Sequence, residues 1–172
     1  MKKAILLTAI LTLFCTGISA QQKMYIYPPK KADYTRITTL DNISINLTIK
    51  DARIITPKSE VKATFEQISD AIEDALKLTY GDNFINPQSD INIIIEVTDY
   101  SVVFNAPIWN AHVNYTFRYE DVTNEIAQTN STNNTLGKAS GKNILNKCFY
   151  GANIELFHLL NKLLRDVNDS MK

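Results

Sequence analysis

The chain has 172 residues, with 18 Lys+Arg against 18 Asp+Glu, a formal charge of zero and a sequence pI near 6.7. Its 45% hydrophobic and 21% charged residues are ordinary for one globular domain, which excludes extended disorder, a collagen or coiled-coil rod and a disulfide-dense miniprotein. Balanced charge also lacks the basic excess of a dedicated nucleic-acid binder, so no nucleic-acid partner is expected.

The N-terminus carries Lys2 and Lys3, then an apolar stretch from Ala4 to Phe14 broken by Thr8 and Thr12, then Thr16-Gly17-Ile18-Ser19-Ala20. This three-part pattern is that of a secretory signal peptide over residues 1–20, so the protein is expected to be exported to the periplasm or the cell envelope. The apolar run falls short of the roughly 20 residues that a bilayer-spanning helix needs. No later stretch approaches that length, so no transmembrane span is expected in the mature chain. Cleavage after Ala20 makes Gln21 the new N-terminus and leaves 16 basic and 18 acidic residues. A lipid anchor on Cys15 would need a small residue where Phe14 stands, which argues against lipidation. Without Cys15 only Cys148 remains, so no intramolecular disulfide is available and the fold must rest on its core.

Residues 21–42 read as an N-terminal arm in which Met24 to Tyr27, closed by Pro28-Pro29, form an edge strand or stay an extended arm. From there to residue 168 the pattern is that of a single domain. Ile43, Ile45, Leu47 and Ile49 alternate with polar residues and predict a half-buried strand. From Val61 the period lengthens, and Phe65, Ile68, Ile72, Ala75, Leu76 and Thr79 predict an amphipathic helix. Two starts are open, a Thr56-Pro57 cap or a capping box of Thr64 with Gln67, and Gly81 supplies the stop.

Ile91, Ile93, Ile95 and Val97 predict a second strand, with Tyr100 to Phe104 extending it past a bend. Ala111, Val113, Tyr115, Phe117 and Tyr119 predict a third, followed by turn chemistry at Asp121 to Asn124. The polar segment from Glu125 to Thr135 is read as an outer strand, with a loop as the alternative. Gly137 to Gly141 breaks the pattern. Leu145, Cys148, Ala152, Leu156, Leu159, Leu163 and Val167 then predict a long second helix, capped by Ser140 or Asn143. The expected fold is α+β: an antiparallel or mixed sheet of three to five strands with two helices on one face, in the order β-α-β-β-(β)-α.

No nucleophile, phosphate-loop, dinucleotide or zinc-ligand pattern is recognisable, so no cofactor and no metal are expected. Cys148 falls on an apolar helix stripe and reads as a core residue. His112 and His158 read as surface or boundary residues. The acidic group Glu66, Asp70, Glu73 and Asp74 reads as a solvated helix face, with calcium ligation as the alternative. The connection from Val102 to Trp109 is the unusual feature, because it sets Phe104, Ile108 and Trp109 beside Pro107. Exposed together these three side chains would make an aromatic contact patch for a partner, whereas buried they would close one end of the core.

At Leu47-Thr48-Ile49-Lys50-Asp51-Ala52-Arg53 the chain resembles the YajG-like family of bacterial envelope lipoproteins, although the acylation site is missing. The likeness extends to the short strand Tyr25-Ile26-Tyr27-Pro28, the helix running from Leu76 into Gly81, and the long C-terminal helix. The resemblance implies a binding or assembly role and not chemistry. Asp51 and Arg53 point to one side of a strand and are expected to pair or to cap the next connection. The leading expectation is an exported, non-catalytic binding module whose partner is an envelope protein. The alternatives are a carrier of a lipid or other apolar ligand, and a hydrolase built on His112 with a neighbouring carboxylate.

Overall fold

The computed structural model describes residues 43–54, 59, 63–133 and 138–170. The expected signal peptide, the expected N-terminal arm with Met24 to Tyr27, Thr56-Pro57 and Val61 lie outside them. The elements are β1 (Asn46–Asp51), α1 (Phe65–Tyr80), a 3-10 turn (Asp82–Phe84), β2 (Asn92–Asn105), β3 (Ile108–Tyr119), β4 (Val122–Asn133) and α2 (Lys138–Ser170). The strands form one mixed sheet in the order β1-β2-β3-β4, with β1 parallel to β2 and the other pairs antiparallel. This is the expected α+β architecture. The helices share one face of the sheet and close a single core with the inward strand residues.

Local chemistry explains the boundaries of α1. Thr64 accepts from the Gln67 backbone while the Gln67 side chain accepts from the Thr64 backbone, so the later capping box starts the helix. Gly81 ends it at φ +103, a conformation that side chains rarely adopt, with its N–H donating to Lys77 O. Ile68, Ile72, Ala75 and Leu76 are buried on the inner stripe, and the Thr79 hydroxyl satisfies itself on Ala75 O. The 3-10 turn then brings Phe84 under Tyr80, their rings stacked at 4.2 Å. Ile45, just before β1, bridges in parallel to Ile85.

The bend expected after Val97 is a β-bulge. Val97 pairs with Tyr115 and Asp99 with Asn114, so Thr98 is the extra residue. That single insertion moves the inward set from the odd positions Ile93, Ile95 and Val97 to the even positions Tyr100 and Val102.

Four boundaries differ from the sequence reading. The apolar connection before the third strand is itself strand: β2 runs to Asn105 and β3 starts at Ile108, leaving Ala106-Pro107, with a cis peptide, as the turn. The next turn falls at Glu120-Asp121, starting one residue before the expected Asp121 to Asn124, with Glu120 at φ +48. The polar segment is strand, as expected, but from Val122 to Asn133, because pairing along its whole length with β3 satisfies the inward half of a backbone whose side chains need no core. Finally, α2 starts at Lys138, so neither Ser140 nor Asn143 caps it, and Gly141 lies inside the helix.

Candidate binding surface

The strands alternate, so the sheet face away from the helices carries its own set of side chains. Read across β2, β3 and β4, its rows are Val103-Asn110-Ser131, Ser101-His112-Thr129 and Asp99-Asn114-Ala127. Towards the other end, β1 joins in the row Lys50-Glu96-Thr116-Glu125, and the next row is Thr48-Ile94-Arg118-Thr123. No described element packs on this face. Its middle is small and polar, and its only ion pair described lies at the edge of that zone, where Arg118 donates to Glu96 at 2.9 Å.

The polar side chains partly satisfy one another. Ser131 Oγ donates to Asn110 Oδ1 at 2.9 Å, and Thr129 Oγ1 lies 3.5 Å from His112 Nδ1. Asn114 Oδ1, between them and the charged rows, is buried and has no hydrogen-bond partner among the described residues. A buried acceptor without a donor is an unmet hydrogen-bonding demand, here placed beneath the middle of this face.

The Phe104, Ile108 and Trp109 patch does not form. Trp109 is 3% exposed and points into the core, with the Phe104 ring 4.8 Å away. Strand alternation separates the set: Trp109 and its cross-strand partner Phe104 face the helices, while Ile108 faces away and is exposed. Gly141 of α2 makes the burial possible, since a Cβ there would fall 2.7 Å from Trp109 Cε3. The glycine is therefore a close-approach residue and not a helix breaker.

Asp51 and Arg53 do pair. Arg53 Nε and Nη2 donate to the two carboxylate oxygens of Asp51 at 2.7 and 2.8 Å, and Nη1 donates to Ala63 O at 3.0 Å. The fork ties the end of β1 to the residue preceding the α1 cap. The Arg53 hydrogen bond also holds the Asp51 carboxyl below its ordinary value of 3.8. Stability from this group is therefore present above 3.8 and is lost as the pH falls through the lowered value. Arg53→Ala is expected to cost about 1–2 kcal/mol at neutral pH, at the low end because Asp51 is partly exposed, and Arg53→Lys should not restore it. Urea unfolding at neutral and acid pH checks both, since the deficit should shrink in acid.

Cys148 is buried, its Sγ 3.5 Å from Ala111 O, and burial pushes the thiol up to about 11, the opposite of an activated nucleophile. Its contribution to stability is present below the unfolded thiol's 9.0 and is lost as the pH rises through about 11. Burial raises the Tyr80 and Tyr100 phenols as well, so the loss continues above that range. Stability should thus fall between 9.0 and about 11, and less steeply in Cys148→Ala, which denaturant titration across that range checks. Glu66, Asp70 and Asp74 are exposed, Glu73 pairs with Lys77 at 3.3 Å, and no metal-holding group occurs among the described residues.

The sequence reading missed a buried polar pair. Asn153 of α2 is fully buried, and the Tyr115 hydroxyl donates to its Oδ1 at 3.4 Å, while its Nδ2 has no partner among the described residues. The signal was present as a second stripe, Phe149, Asn153, Phe157, Leu160 and Leu164, in which Asn153 is the only polar residue.

No protein-family model and no curated protein matches the chain. Among solved structures it is similar to the crystal structure of a Xanthomonas campestris protein assigned to the DUF330 family, at 12% identity and a TM-score of 0.44, over 81% of this chain and 95% of that one. It is also similar to the crystal structure of an uncharacterised protein, at 8% identity and a TM-score of 0.48, over 74% of this chain and 97% of that one.

Proposed function

We propose that the protein is an exported, envelope-associated binding or assembly module without catalytic activity, and that its partner docks on the open face of the sheet. The observation that carries this reading is the polar face centred on His112 and Asn114, on which no described element packs. The candidate catalytic groups support the same reading. The Cys148 thiol is buried and held protonated, and His112 meets a threonine hydroxyl, not a carboxylate, in its described hydrogen bond. The signal peptide supplies the export part of the proposal.

The test is photocrosslinking in intact cells of origin with a photoreactive amino acid at His112 and, separately, at His158 on the exposed side of α2. A discrete adduct from the His112 position alone, on a mature chain starting at Gln21, is the expected result. Equal labelling from both positions, or a cytoplasmic chain still carrying Met1, would overturn it.

A further inference from the structure

We propose that two copies of this chain pair through their β4 edges, antiparallel about a two-fold axis near Gln128 and Gly151, into one continuous sheet. Among the described residues, the outer edge of β4 pairs with no strand. It spans 12 residues and keeps register with β3 throughout, without a bulge. Edge strands are usually protected by Lys, Pro, a bulge or shortness. Val122–Asn133 has no Pro, Lys or Arg, whereas the opposite edge, β1, has 6 residues, includes Lys50, and is preceded by the Ile45–Ile85 bridge.

The side chains say what fits this edge. Asn, Gln, Ser and Thr each both donate and accept, so a strand built from Asn124, Gln128, Thr129, Asn130, Ser131 and Thr132 is its own complement. Antiparallel pairing centred on Gln128 sets Glu125, the one charge of the strand, opposite Ser131 and not opposite its own copy.

The helix layer agrees. Gly141 lies over Trp109, which pairs with Thr132, and Gly151 lies over Gln128, so α2 runs antiparallel to β4. Its flank above β4 carries Glu155, which accepts from Gln128 Nε2 at 3.0 Å, Gly151 one turn before it and Lys147 one turn before that. A two-fold axis at Gly151 brings Lys147 of each copy to Glu155 of the other, with the smallest residue between them. Isologous contacts of this kind are the common route to homodimers. The open sheet face stays free, so this inference stands apart from the proposed function.

The experiment is sedimentation equilibrium of the mature chain, residues 21–172, with Lys147→Glu, Glu155→Lys and the double swap. A dimer is expected, weakened at least about tenfold by each single reversal and restored by the swap to within about threefold. Wild-type β4 amides should also exchange more slowly as concentration rises. A chain monomeric up to about 100 μM would overturn the proposal. So would a dimer indifferent to Lys147→Glu, whose exposed position leaves the fold intact by circular dichroism, or one that the swap does not restore.

Discussion

Trp109→Ala is expected to cost about 3–5 kcal/mol and to lower the melting temperature by roughly 10 °C or more. The indole is 3% exposed, stands against Phe104 at 4.8 Å, and fills the space that a side chain at residue 141 would need. Removing it opens a cavity between two strands and a helix, and the surrounding backbones can close it only in part. Gly141→Ala supplies the converse experiment. Its Cβ would sit 2.7 Å from a rigid ring flanked by backbone, so overpacking should cost about 1–3 kcal/mol. In the Trp109→Ala background the same alanine should be nearly neutral, because the clash is gone. Thermal unfolding of the two single variants and the double variant measures this coupling. Additive losses would show that indole and helix do not meet.

Asn153→Asp is expected to destabilise by about 4 kcal/mol at pH 7 and by only about 1 kcal/mol near pH 4.5. The position is fully buried, and burying a carboxyl raises its pKa by about 3–5 units. A raised folded-state pKa means no penalty below the unfolded value of about 3.9, and a penalty that grows with pH until the folded group ionises. The substitution isolates charge from hydrogen bonding. The Tyr115 hydroxyl donates to the oxygen that both residues share, and the amide nitrogen that is lost has no described partner. Urea unfolding at the two pH values reads the difference. Equal deficits at both would show that water reaches the site and that the group stays ionised there.

Several elements were legible in the residues alone. The alternation in β1, β2 and β3, the stripe of α1 and the stop at Gly81 stand as read, and of the two starts left open the Thr64 capping box is the one formed. Each depends on neighbours within one or two turns or on strand period, which a local pattern carries in full. The polar run that became β4 was harder, because only Ile126 of that strand is buried and its regularity comes from hydrogen bonding to β3.

The misreadings share one cause. A glycine that touches an indole 32 positions away looks the same in sequence as a glycine that ends a helix. Phe104, Ile108 and Trp109 are neighbours along the chain, yet pleating sends Ile108 to one face of the sheet and the other two to the opposite face. Asn153 stands on an apolar stripe whose polar member has no visible partner until Tyr115, 38 residues earlier, is brought beneath it.

By itself, then, the sequence determined the kinds of element and which side of most of them is apolar, since period and capping are short-range properties. Only the tertiary structure decided the parallel pairing of β1 with β2, the burial of Trp109 and Asn153 and, among the described residues, the long edge left at β4 and the bare polar face. Those features depend on contacts between residues distant in the chain, and no local pattern specifies which of several apolar or polar surfaces will be covered.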